Sequence, residues 1–179
     1  MELTYENIVK FFDSYFEAFN KYAGPLETVP NMMKFYTPDF EWWSYNMPSE
    51  GERKPASRDF LLMTMVHPGL HEHLTPRQYI IDLKEMVCVV QFQLQFTDER
   101  SGVTGPPGQA SAHYTFVLDE NKDIKIKKLQ YWTEARLPSD TKPNMRDLWR
   151  QYRDEALVDL ATNWMKAPNK TLNQIKAEP

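Results

Sequence analysis

Three of the four histidines of this 179-residue chain lie within seven residues, at His67, His71 and His73. Closely spaced imidazoles can ligate zinc, and a single imidazole can move protons because its unperturbed pKa is about 6.5. However, Pro68 and Gly69 would break any helix that could align the three rings. The pattern therefore favours a solvated loop at the mouth of a pocket over a metal site.

The single cysteine, Cys88, excludes a disulfide within the chain. It lies in the run Met86-Val-Cys-Val-Val90, where a small apolar residue of a buried strand is typical. We interpret Cys88 as a core residue and not as a nucleophile. We expect neither a metal nor a cofactor.

Charge and hydropathy make several classes of partner unfavourable. A formal net charge of -4 and a pI of 5.6 provide no field that would attract nucleic acid or anionic lipid. No apolar run approaches the roughly 18 residues of a membrane span, and the N-terminus lacks the basic and then apolar pattern of a signal peptide. We therefore expect a cytoplasmic protein that binds neither nucleic acid nor membrane.

The first predicted element is an amphipathic helix over residues 4–22, where aromatic and aliphatic residues recur at helical spacing. A short helix is predicted over 27–36, since Pro38 disfavours helical geometry in the residue before it. A third helix is predicted to begin at Ser57, with that residue as its N-cap. Beyond the strands, a long C-terminal helix with an apolar stripe is predicted to start near Pro143.

Five strands are predicted, the first over residues 39–46. From residue 77 onward, apolar side chains alternate with polar ones, which is the period of a strand with one buried and one wetted face. Lys127 and Lys128 shift this alternation by one residue within the last strand, as a β-bulge would. The pattern predicts an α+β domain with a largely antiparallel sheet. The later strands cover about 77–83, 88–96, 111–118 and 124–134.

Two aromatic segments resemble the nuclear transport factor 2-like superfamily, which includes ketosteroid isomerases and SnoaL-type polyketide cyclases. They are Tyr36-Thr-Pro-Asp-Phe-Glu-Trp42 and Tyr131-Trp-Thr-Glu134, and the likeness spans about residues 5–135. The resemblance implies a cone-shaped, mostly antiparallel sheet wrapped around N-terminal helices, a cystatin-like α+β barrel with an apolar pocket at its open end. This domain would occupy residues 1–136, and a helical extension over 137–179 would pack on it or on a dimer partner.

The resemblance also implies roles for particular residues. Ketosteroid isomerases use a tyrosine of the first helix as an oxyanion donor, and Tyr15 occupies the matching position. Their second donor, in the penultimate strand, falls near Tyr114, and SnoaL-type cyclases use a strand histidine that matches the adjacent His113. The catalytic aspartates of these families would stand where this chain has Ser44 and Thr133. The implied ligand-binding residues are Trp42, Ser44, Phe92, Phe116 and Trp132.

Two functions follow from this resemblance. The first is a cofactor-free isomerase, cyclase or dehydratase that acts on an apolar carbonyl-bearing or cyclic small molecule, with Tyr15, Tyr114 and His113 as catalytic residues. The second is a non-catalytic homodimeric module of the same fold that binds a small molecule or a protein. The replacement of the aspartates by Ser44 and Thr133 favours the second, and so does the apolar C-terminal extension.

Overall fold

A computed structural model describes residues 3–24, 28, 30–44, 70–99 and 102–133. Within these ranges, two helices come first and six strands follow. In chain order the elements are α1 (Tyr5–Tyr22), α2 (Pro30–Met33), β1 (Tyr36–Ser44), β2 (Leu70–Asp82), β3 (Val87–Asp98), β4 (Val103–Thr104), β5 (Gly108–Leu118) and β6 (Ile124–Thr133).

Helix α1 begins where Thr4 caps it. The Thr4 side chain accepts a hydrogen bond from the backbone N–H of Asn7 at 3.2 Å, which satisfies one of the unpaired donors of a helix N-terminus. Ala23 ends the helix in an extended conformation, and its N–H donates to the carbonyl of Phe19 at 2.9 Å. The helix predicted over residues 4–22 is confirmed. Its buried face consists of Ile8, Phe12, Tyr15, Phe16, Ala18 and Phe19.

The prediction for residues 27–46 is partly wrong. Helix α2 is a single turn, and β1 begins at Tyr36, three residues before the predicted start at residue 39. The cause is β6: the N–H of Ile126 donates to the carbonyl of Phe35 at 2.7 Å, and Tyr36 pairs with Ile126. Pro38 is tolerated inside β1 because it lies in the irregular stretch between the paired residues Tyr36 and Glu41.

The strands form one six-stranded mixed sheet. The order along it is β1-β6-β5-β3-β2, with the short β4 beside β3. Only the β1–β6 pair is parallel among the described strands, so the predicted largely antiparallel α+β fold is confirmed. The described strands do not close into a barrel, since β1 and β2 lie at the two ends of their order.

A β-bulge shapes β6 as the sequence predicts. Thr115 pairs with Lys128 whereas Phe116 pairs with Ile126, so Lys127 is the extra residue. The bulge restores the alternation, and Ile126 and Leu129 are both buried.

Strand β2 is longer than predicted. It begins at Leu70 and not at residue 77, and it continues through Pro76. A register shift between Pro76 and Gln78 accommodates the proline, which has no N–H to donate. His71 and His73 therefore lie in a strand, and the predicted loop at these positions is wrong.

The core lies between α1 and the inner face of the sheet. Phe12 of α1 packs on Tyr114 of β5 with ring centroids 4.8 Å apart, and Phe16 packs on Phe92 of β3 at 5.5 Å. Cys88 has no exposed surface and belongs to this core. Burial raises the pKa of its thiol to about 12, which keeps the sulfur protonated and unreactive at neutral pH.

Several predictions lie outside the described residues. These are the third helix from Ser57, the C-terminal helix from Pro143, the boundary at residue 136 and the position of His67. Of the two helices described, neither has the length and apolarity that crossing a bilayer requires.

Candidate functional site

Three tyrosines meet in the core and form the tyrosine cluster: Tyr15, Tyr36 and Tyr114. The hydroxyl of Tyr36 donates to the hydroxyl of Tyr15 at 2.9 Å. The exposed fractions of the three residues are 1%, 4% and 2%. The structure thus places Tyr15 and Tyr114 side by side, with ring centroids 5.7 Å apart.

Each phenol of the cluster comes from a different element. Tyr15 lies on the buried face of α1, Tyr36 is the first residue of β1, and Tyr114 is on the inner face of β5. Aromatic edges surround the ring of Tyr15 and hold it in one orientation. The phenylalanines in contact with that ring are Phe12, Phe16, Phe19 and Phe35.

The cluster brings three hydrogen-bond donors together. Each phenol carries one donor proton, and the proton of Tyr36 forms the bond to Tyr15. The hydroxyls of Tyr15 and Tyr114 are the other two donors of the cluster.

The pKa values of the cluster favour donors over bases. Burial raises the pKa of Tyr15 above its usual value of 10, and the hydrogen bonds with Tyr36 and Tyr114 offset only part of the rise. Burial also raises the pKa values of Tyr36 and Tyr114, and the neighbouring Tyr15 adds to both shifts. All three phenols therefore stay protonated at neutral pH and can act as hydrogen-bond donors.

The predicted ligand-binding residues divide between the two faces of the sheet. Trp42, Phe92 and Phe116 are buried on the inner face, and the ring of Phe116 lies 6.5 Å from that of Phe12. Ser44 is the last residue of β1, where its backbone pairs with Tyr131.

His113 and Trp132 lie on the other face. Adjacent residues of a strand point to opposite sides, so His113 is separated by the sheet from the inward-facing Tyr114. The rings of His113 and Trp132 pack together at 4.7 Å, and partial burial lowers the pKa of the histidine. The structure does not bring His113 to Tyr15 and Tyr114.

Burial on the inner face decreases along β6, towards the end of that strand. Ile126 and Leu129 are buried, whereas Tyr131 and Thr133, further along the same face, are half-buried. The ring of Tyr131 stacks on Phe92, with centroids 6.3 Å apart and an interplanar angle of 23°.

The sequence reasoning missed an acidic side chain on the inner face. Glu72 of β2 is only 5% exposed and shares its face with Leu74. Its charge helps to raise the pKa values of Tyr15 and Tyr131, although burial is the larger cause for both. The signal was present: Glu72 and Leu74 alternate with His71 and His73, which identifies the strand face that carries the carboxylate.

The histidine pair of β2 does not form a metal centre with its neighbours. His71 and His73 lie on the outer face with ring centroids 6.2 Å apart. Within the described residues, no three side chains of histidine, cysteine, aspartate or glutamate form a group that could hold a metal ion. His67 is outside these residues.

No family of known proteins and no curated protein matches the chain in sequence. Among solved structures it is similar to an NTF2-like protein from Anabaena variabilis, with 14% identity, a TM-score of 0.49, and 76% of this chain and 96% of that chain covered. A ketosteroid isomerase-like protein from Erwinia carotovora has 12% identity and a TM-score of 0.48, with 72% of this chain and 95% of that chain covered. A candidate SnoaL-like polyketide cyclase from Jannaschia has 12% identity and a TM-score of 0.46, with 75% of this chain and 91% of that chain covered. These names belong to the superfamily that the two aromatic segments resemble.

Proposed function

We propose that this protein binds a small, largely apolar molecule through a carbonyl or enol oxygen, which accepts a hydrogen bond from Tyr15 or Tyr114. The observation that carries the proposal is the tyrosine cluster, in which the buried phenols of Tyr15 and Tyr114 lie side by side and Tyr36 donates to Tyr15. The reaction class is that of a cofactor-free isomerase, cyclase or dehydratase, in which negative charge develops on the bound oxygen.

The surroundings of the cluster favour an oxygen that becomes negative during a reaction. Water is excluded from the cluster, since its three residues are at most 4% exposed. A hydrogen bond to a developing oxyanion is stronger in such an environment than in water. Because the aromatic rings around Tyr15 hold it in place, little reorganisation is needed when the charge forms.

The inner face suits a largely apolar ligand. Among the described residues, the buried carboxyl side chains are those of Glu72 and Asp98. The rings of Trp42, Phe92 and Phe116 offer apolar contact. A ketone or an enol on a carbocyclic frame fits such a surface.

Titration with 2-naphthol, an enol-like probe with environment-sensitive fluorescence, tests the proposal. We expect the double variant Tyr15→Phe, Tyr114→Phe to weaken binding by about tenfold, because it removes the donor to the ligand and one hydrogen bond is worth about 1 to 1.5 kcal/mol. Tyr5→Phe is the matched control: Tyr5 lies on the same helix, but it is 49% exposed, so its loss should leave the affinity unchanged.

A fold control accompanies each variant, namely the thermal midpoint by circular dichroism. Unchanged affinity in a folded Tyr15→Phe, Tyr114→Phe double variant would contradict the proposal. So would a wild-type protein that does not bind 2-naphthol at millimolar concentrations.

A further inference from the structure

The outer face of the sheet carries a row of residues that joins the strands β1, β6, β5, β3 and β2. Backbone pairing links Trp43 to Gln130, Gln130 to His113, His113 to Val89, and Val89 to Ile80. We call these five residues the outer row. Side chains of directly paired residues point to the same side of a sheet, so the whole row lies on the face that carries His113.

The outer row is more apolar than a solvated sheet face requires. Ile80 is 51% exposed, Val89 and Trp43 are half-buried, and the ring of Trp132 packs on that of His113. The outer face of an antiparallel sheet that meets water normally carries polar side chains. Of the two described helices, α1 packs on the inner face and the buried residues of α2 belong to the same core, so neither covers the row.

The chain beyond β6 contains a segment of matching length and polarity. In the helix predicted from Pro143, apolar side chains recur at helical spacing and form a stripe. From Met145 to Leu160 this stripe is about 22 Å long at 1.5 Å per residue. Five strands with a spacing of about 4.8 Å span about 19 Å, so the stripe is long enough to cross the row. The stripe consists of Met145, Leu148, Trp149, Tyr152, Ala156 and Leu160.

The connection to this segment is short. Strand β6 ends at Thr133, three residues beyond Gln130 of the outer row, which pairs with Trp43. Residues 134–142 reach up to about 30 Å when extended. A flexible link of this length holds its segment at an effective concentration of about millimolar, whereas a second copy or another protein must be recruited from solution. The end of the row at Trp43 is therefore within reach of the segment.

We propose that residues 143–164 of this chain pack as a helix across the outer row, with Met145 at the Trp43 end and Leu160 at the Ile80 end. None of the six stripe residues is charged. In the row, Gln130 is neutral, and partial burial lowers the pKa of His113, which favours its neutral form. The two surfaces therefore come together without burying a charge.

Distances between spin labels in the full-length protein test the proposal. Cys88 is buried and its thiol stays protonated, so the labels attach to introduced cysteines. One label is placed by Ala161→Cys, beside the stripe in sequence. The second is placed by Gln78→Cys, on the outer face near Ile80, or by Glu17→Cys, on the exposed side of α1. We expect a narrow distribution at about 15 to 25 Å for Gln78→Cys and at about 35 Å for Glu17→Cys, because packed layers lie about 10 Å apart.

Dilution with an excess of unlabelled protein distinguishes the segment of the same chain from that of a second copy. A short distance to Gln78→Cys that persists on dilution supports the proposal. Its loss on dilution would mean that the segment packs on another copy, which overturns the proposal. A broad distribution, or a shorter distance to Glu17→Cys than to Gln78→Cys, overturns it as well.

A substitution in the row tests the contact itself. Ile80→Glu would place a charge under the segment, and we expect the peak at 15 to 25 Å to be lost because an unpaired charge is costly to bury. Leu83→Glu is the matched control: Leu83 is 38% exposed in the turn after β2, outside the row, so the peak should remain. The thermal midpoint by circular dichroism shows whether each variant folds, and Ile80→Ser replaces Ile80→Glu if the latter does not. An unchanged peak in the folded Ile80 variant overturns the proposal.

Discussion

Tyr114 and His113 are neighbours in sequence but have different environments. Tyr114 is 2% exposed among aromatic rings, whereas His113 packs on Trp132 on the outer face. The alternation of β5 predicts this division, so the burial of Tyr114 could be read from the sequence. Its neighbouring phenols could not, because Tyr15 contacts Tyr114 and Tyr36 contacts Tyr15 through parts of the chain that are distant in sequence.

The buried phenols predict how stability depends on pH. Burial raises the pKa values of Tyr15, Tyr36 and Tyr114 above 10, so between pH 10 and these higher values only the unfolded chain releases the phenol protons. The folded state then binds more protons than the unfolded state, and the free energy of unfolding falls as the pH rises. Each phenol lowers the free energy of unfolding by about 1.4 kcal/mol per pH unit in this window.

Urea unfolding at intervals between pH 9 and pH 11.5 measures this effect. We expect stability to be level below pH 10 and to fall above it. Tyr114→Phe should reduce the slope by one phenol's contribution, since phenylalanine ionises in neither state. Equal slopes for the wild type and this variant would contradict the burial of Tyr114.

At the scale of elements, the features that follow a repeating hydrophobic pattern were predictable from the sequence, whereas a strand that continues through a proline was not. Helix α1 and the bulge at Lys127 follow from hydrophobic periodicity alone, and both are confirmed. The start of β2 was missed because Pro76 is a strand breaker in most contexts, whereas here a register shift accommodates it. Because no strand was predicted over residues 70–76, the buried strand face that carries Glu72 was not identified from the sequence.

The link between α1 and β2 gives a prediction at this scale. Asn20 pairs with both backbone groups of Leu74 on an edge strand. Asn20→Ala should lower the free energy of unfolding by about 2 to 3 kcal/mol, because two hydrogen bonds are lost and two polar groups remain without their partner. Ser14→Ala is the control on the same helix: the exposed Ser14 hydroxyl donates to the carbonyl of Lys10, and its loss should cost less than about 0.5 kcal/mol. Equal stability of the two variants in urea would show that Asn20 does not fix β2.

At the scale of the whole molecule, the groups of the candidate site lie on one face of the curved sheet. The described strands bring phenols from α1, β1 and β5 to one point and direct the carboxylate of β2 towards the same interior. The fold class follows from element order and alternation. The site does not, because it depends on curvature, which joins residues that are far apart in both the chain and the sheet order. The homodimer and the helical extension over residues 137–179 stay predictions.

The central claim is that a ligand oxygen accepts a hydrogen bond from Tyr15 or Tyr114 of the tyrosine cluster. A crystal structure of the protein with 2-naphthol bound tests it most directly. We expect the naphthol oxygen to lie about 2.7 Å from the hydroxyl oxygen of Tyr15 or Tyr114, with the rings of the ligand between Phe92 and Trp42. A naphthol bound on the outer face beside His113 and Trp132, with the cluster unchanged, would contradict the claim.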